Sequence, residues 1–151
     1  MINNYIYPEL IWINKAFLNR DDLFKSFSSW LVQNGYVEKN YYQSLTKREN
    51  AFPTGLDIGG YSVAIPHSEC KNIKKEFVGI VILASPISMN KMDNSYIKIP
   101  VDCFFFLGIK NGQDHIEVLQ KIIKIIKNKN TIKALKSSND TDTIVNILKN
   151  N

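Results

Sequence analysis

Apolar and polar positions along the 151 residues alternate between short apolar runs and stripes of helical period. Pro8 to Asn14, PELIWIN, reads as a short strand. Arg20-Asp21-Asp22 then supplies a helix start, because Asp side chains accept from the free backbone N–H groups there. Leu23, Phe24, Phe27, Trp30 and Leu31 follow at helical spacing and define one apolar face. Gly35 after Asn34 is a left-handed stop signal. A second helix is predicted from Glu38 to Asn50, with Tyr41, Tyr42 and Leu45 inward. It ends at Phe52-Pro53, since a residue before proline avoids the helical region.

Thr54 to Gly60, with Gly55, Gly59 and Gly60, reads as a loop, and Tyr61 to Ile65 as a strand that Pro66 interrupts. Phe77 to Ala84 and Val101 to Ile109 are nearly continuous apolar runs, as strands covered on both faces require. An amphipathic helix is predicted from Gln113 to Asn128. Ile116, Leu119, Ile122, Ile123 and Ile126 line its inner side, and Lys121, Lys124 and Lys127 face out. Asp114 is its candidate cap, which sets His115 in or next to the first turn. Short helices at Thr131–Lys136 and Thr141–Lys149 close the chain. The expected class is α/β or α+β: one domain over residues 1–151, a central mixed sheet flanked by helices.

Composition narrows the function classes. Hydrophobic residues at 44% and charged residues at 22% are those of a chain that folds, which argues against global disorder. No apolar run reaches the roughly 18 residues of a membrane span, and MINNYIYPEL lacks a signal-peptide pattern. A cytoplasmic location is expected. Cys70 and Cys103 form neither a CxxC pair nor a metal cluster, and free thiols suit a reducing compartment. The net charge of +5 keeps a nucleic-acid-binding module as an alternative, though no aromatic–basic recognition motif accompanies it.

The chain has 2 histidines, His67 and His115. His67 follows a strand and a proline; Pro66 restricts the backbone and helps aim the ring. A neutral imidazole is a good nucleophile, and an ordinary pKa of about 6.5 leaves much of it neutral in a cell. His115, near a helix N-terminus, sits where an anion is favoured and imidazolium is not, so it can donate one N–H to a phosphoryl group. The forked Arg48 guanidinium pairs bidentately with phosphate oxygens. Each residue has a plainer reading. His67 can be a hydrogen-bonded surface histidine, His115 a solvated helix-start residue, and Arg48 a surface residue paired with Glu49 or Glu38.

Longer strings change the weights. Arg48-Glu49 precedes Thr54 and the glycines Gly55 to Gly60, and then Val63-Ala64-Ile65-Pro66-His67. This segment resembles the active-site segment of the fructose/mannitol class of enzyme IIA domains of the sugar phosphotransferase system. The Arg48–His67 spacing and FPTGL, Phe52 to Leu56, are most similar to its galactitol branch. FKSFSSWLVQNGYVEKNYYQSLTKRE resembles the family's helix–Gly–helix lead-in. FVGIVILASPISM resembles its next strand and turn, and HIEVLQKI the segment carrying its second histidine. The similarity runs from Leu10 to Leu148.

The resemblance implies a protein-histidine phosphotransferase component. The small carrier HPr phosphorylates His67, which passes the phosphoryl group to a cysteine of enzyme IIB. IIB in turn phosphorylates a sugar or polyol as the membrane component IIC imports it. Arg48 stabilises the phosphoryl charge, His115 assists, and Thr54 hydrogen-bonds the site or holds its loop. No cofactor, metal or nucleic acid enters this scheme, and a monomer is expected. A regulatory IIA-like domain, reporting phosphorylation state to a partner protein, is the alternative within the family.

Overall fold

The computed structural model describes residues 2–151. The strands are β1 (Ile11–Lys15), β2 (Gly55–Asp57), β3 (Ser62–Ala64), β4 (Phe77–Asn90) and β5 (Lys98–Gly108), forming one mixed sheet in the order β1-β4-β5-β3-β2. β1 runs parallel to β4 and β3 parallel to β5; the β4–β5 and β2–β3 pairs are antiparallel. The helices are α1 (Arg20–Gln33), α2 (Tyr41–Ala51), α3 (Gly112–Lys127), α4 (Lys129–Ser137) and α5 (Thr141–Lys149).

Side-chain alternation on the two central strands sorts the core into two layers. Phe77 and Val81 of β4, with Phe104 and Phe106 of β5, pack with Leu23, Phe24, Phe27 and Leu31 of α1 and Tyr41 and Leu45 of α2. Val78, Ile80 and Ile82, with Cys103, Phe105 and Leu107, meet Val118, Ile122, Ile125 and Ile126 of α3, Leu135 of α4 and Ile144 of α5. Burial on both faces is why these strands read as continuous apolar runs. At Gly79 a Cβ would stand 2.5 Å from Phe27 Cζ, so glycine lets the α1 ring lie on the sheet.

Several expectations are corrected. Pro8–Leu10 is a 3-10 turn, and the strand begins at Ile11; proline has no N–H to give a ladder. α2 begins at Tyr41, not Glu38. The segment expected as a loop contains β2, hydrogen-bonded to β3; Gly59 and Gly60 make the turn between them at φ 95° and 94°. α3 is capped by Asn111, whose side chain accepts from Gln113 N at 2.8 Å and Asp114 N at 3.2 Å. Asp114 is therefore a first-turn residue and not the cap. Asn19 likewise caps α1, accepting from Asp22 N at 3.0 Å. The buried stripe of α3 includes Val118 and Ile125, whereas Ile116 is exposed. Apolar residues cover about half of this helix's circumference, with Ile116 and Ile125 at opposite edges, and contact with the sheet decides which edge is buried.

Candidate functional site

β3 runs parallel to β5 with Ala64 opposite Phe104, and the chain past β3 stays beside β5 up to a His67–Leu107 bridge, at the end of an α/β sheet where ligand sites gather. Past β3, Pro66 accepts from Leu107 N at 3.0 Å, which lays His67 against the end of β5. The last turn of α2 brings Arg48 from one face of the sheet. The start of α3 brings His115 from the other. Arg48 Nη2 lies 3.3 Å from His67 Nε2, and the two imidazole centroids are 5.2 Å apart at 62°. The structure thus brings together three of the four residues singled out from the sequence.

The protonation pattern of His67 follows from its partners. Nδ1 lies 2.9 Å from the Ile65 carbonyl oxygen. A carbonyl only accepts, so Nδ1 carries the proton and Nε2 the lone pair. The Arg48 N–H then donates to Nε2. Burial holds the His67 pKa below its ordinary value, helped by the charges of His115 and Arg48 and opposed by the Ile65 carbonyl. Burial, then Arg48, lowers His115 as well. Both rings are thereby kept neutral near neutral pH. His115 Nδ1 is buried without a hydrogen-bond partner, while its backbone N–H donates to Asn111 O at 2.8 Å.

Thr54 stands elsewhere. Its hydroxyl donates to Glu49 Oε1 and its N–H to Glu49 Oε2, both at 2.7 Å, so the side chain holds the loop and does not touch His67. Among the described residues no carboxylate forms a salt bridge with Arg48. Its guanidinium packs 4.5 Å from the centre of the Phe52 ring instead, and that ring is 62% exposed. Glu49 and Phe52 are the site neighbours that sequence reasoning undervalued. A signal existed for Glu49, since Tyr41, Leu45 and Glu49 repeat every fourth residue on the buried face of α2. Cys103 is buried in β5, its thiol pushed up to about 12 by burial, and Cys70 is half-buried; both are free.

Residues 4–151 match the family described as "Phosphoenolpyruvate-dependent sugar phosphotransferase system, EIIA 2". The chain belongs to this family. Membership gives this enzyme IIA chain a phosphocarrier role in that system. A nitrogen regulatory protein of Bradyrhizobium diazoefficiens is 31% identical over 116 residues, 76% of this chain and 71% of that one. A galactitol-specific EIIA component of Escherichia coli is 21% identical, covering 80% of this chain and 79% of its own. The chain also aligns at 25% identity, over 93% of its length, with an Escherichia coli multiphosphoryl transfer protein, of which it spans only 16%.

Among solved structures, the nitrogen regulatory protein IIA-Ntr of Neisseria meningitidis superposes with a TM-score of 0.80 at 21% identity, covering 97% and 98% of the two chains. A complex of Escherichia coli enzyme IIA and phosphorylated enzyme IIB of the mannitol system gives 0.78 at 18% identity, covering 96% and 97%. These similarities establish the mixed-sheet fold flanked by helices. Among the described residues no helix is long and apolar enough to cross a membrane.

Proposed function

We propose that His67 Nε2 is the phosphoryl acceptor, that phospho-HPr is the donor and that a cysteine of an enzyme IIB is the next acceptor. The observation that carries this reading is the Nε2 lone pair facing the Arg48 guanidinium at 3.3 Å while Nδ1–H is held by Ile65. In the first step the Nε2 lone pair attacks phosphorus. The N–P bond of the donor phosphohistidine breaks, and its electron pair stays on the donor imidazole. In the second step a IIB thiolate attacks phosphorus, the Nε2–P bond breaks and its pair returns to Nε2. The Nδ1 proton stays in place throughout, so neither step needs a general base.

A loose phosphoryl-transfer transition state requires in-line placement and donors for three equatorial oxygens. Arg48 supplies a fixed charge and a fork of donors. His115, neutral, supplies one N–H. The exposed Phe52 and Ile116 give the rim of the site apolar area for a docking protein.

FPTGL and the galactitol-specific relative support a galactitol-type system as the transport route. The nitrogen regulatory relative supports a second reading, in which the phosphorylated state is reported to a partner protein. One experiment tests both. The protein is incubated with phosphoenolpyruvate, enzyme I and HPr, and then with a galactitol-type IIB. One acid-labile phosphate per chain, absent in His67→Ala and discharged onto IIB, is the expected result. Labelling without discharge to any IIB tried supports the regulatory reading. No labelling of the folded protein overturns the proposal.

A further inference from the structure

Glu49 lies at 1% exposure in the last turn of α2, one residue from Arg48, and Thr54 is equally buried. Both carboxylate oxygens are occupied by Thr54 donors. The Thr54 carbonyl accepts from Ile65 N at 3.3 Å, and the Ile65 carbonyl holds His67 Nδ1 at 2.9 Å. A continuous hydrogen-bonded chain therefore runs from the helix turn that carries Arg48 to the ring that Arg48 faces. We infer that Glu49 is a positioning residue for the proposed phosphoryl acceptor: through Thr54 and Ile65 it fixes the His67 tautomer and sets Nε2 against the Arg48 guanidinium.

Three physical points support the assignment. A buried carboxylate is costly unless its lone pairs are satisfied, and Thr54 satisfies both oxygens with one backbone and one side-chain donor. Burial raises the Glu49 pKa above its ordinary value, and the Thr54 bonds and the charges of Arg20 and Arg48 oppose that rise by favouring the charged form. A carboxylate can accept both Thr54 donors at once. A glutamine in its place has one acceptor oxygen and turns an NH2 group towards the second donor. The same clamp also ties α2 to the segment that leads into β3, so loosening it would move Arg48 and His67 apart together.

The inference rests on the phosphoryl-acceptor reading for its catalytic consequence but not for its geometry, and the test separates the two. Ring 15N–1H spectra of unphosphorylated protein report the His67 tautomer without any donor. Wild type is expected to show Nδ1–H, and folded Glu49→Gln a rise in Nε2–H. Glu49→Gln should also take phosphate from phospho-HPr about tenfold more slowly or worse, as expected for a misplaced reacting atom. Thr54→Ser keeps both donors and should retain the Nδ1–H tautomer. Should Glu49→Gln not fold, Thr54→Val, which removes only the hydroxyl bond, must shift the tautomer in the same direction. An unchanged tautomer, with transfer within about twofold of wild type, in the folded variant overturns the inference. A wild type that holds Nδ1–H yet takes no phosphate overturns the acceptor reading and leaves the positioning role standing.

Discussion

His67 and His115 meet across the end of the sheet from segments built in different ways. The His67 segment is tied at each step. Pro66 is bonded to Leu107, Nδ1 to Ile65, and the preceding loop to the buried Glu49. The His115 segment is the opening turn of one helix, secured by the Asn111 cap, with Ile116 exposed beside it and His115 Nδ1 unpartnered. The ring proposed to form the covalent bond is held on both nitrogens, whereas the proposed assisting ring keeps an unused donor or acceptor. A nucleophile gains from fixed placement, because in-line geometry controls transfer. An assisting donor needs only to reach an oxygen once the phosphoryl group has arrived.

The contrast is most strongly tested at Arg48, which faces His67. Arg48→Ala should slow phosphate incorporation by about 100-fold or more, the usual effect of deleting a preorganised charge at a developing anion. Stopped-flow quench assays with phospho-HPr measure it, and a loss below about tenfold would remove Arg48 from the charge-stabilising role. His115→Ala should cost less, about tenfold, equivalent to one hydrogen bond of about 1.4 kcal/mol. A loss equal to that of Arg48→Ala would erase the distinction between the two segments.

Asn111→Ala probes the looser segment by itself. It should lower stability by about 1 kcal/mol in urea titrations, the common value of a cap. A fall in transfer as deep as that of His115→Ala would show that the cap positions the ring.

The smallest expected effect is on pH dependence. Both histidines have folded pKa values lowered by burial. Below the ordinary imidazole value of about 6.5 the unfolded chain binds protons that these rings refuse, so their contribution to stability falls as pH drops. Above that value it is constant. His67→Gln and His115→Gln should each flatten the wild-type loss between pH 7.5 and 5.5, measured as the shift of urea midpoint. A loss unchanged in either variant would show that the ring concerned titrates alike in the folded and unfolded chain.

Much of the architecture could be read along the chain. The apolar middles of the two core strands, the turn at Gly35, the α5 limits and the α/β class follow from period, run length and turn chemistry, whereas β4 runs on to Asn90 past the expected end at Ala84 and β5 starts at Lys98, before the expected Val101. Misreadings fell where local signals compete. At Pro8–Leu10 the residues expected to open a strand made a 3-10 turn. At Gly55–Asp57 a glycine-containing stretch became an edge strand, because pairing with β3 is a long-range matter. Asp114 and Asn111 are both plausible caps by residue type, and only the path of the chain after β5 selects Asn111. Of the site, His67, Arg48 and His115 were legible from residue type, spacing and resemblance. Glu49 entered only as half of the Arg48-Glu49 pair and, with Glu38, as a possible partner in the plainer reading of Arg48, although its place four residues after Leu45 puts it on the buried face.

Residue order alone sets which chemistry is available: two imidazoles, one nearby guanidinium, and helix and strand periods that build a two-faced sheet. Which groups meet is a matter of the folded chain. Arg48 and His115 belong to helices on opposite faces, and they converge on His67 because the chain after β3 runs parallel to β5 and sets His67 beside Leu107. The fold also decides that the Glu49 carboxylate turns to Thr54 and not to the neighbouring arginine. Such choices depend on distances between residues far apart in the chain and on the cost of leaving a buried oxygen unpaired, and neither is expressed in the local order of amino acids.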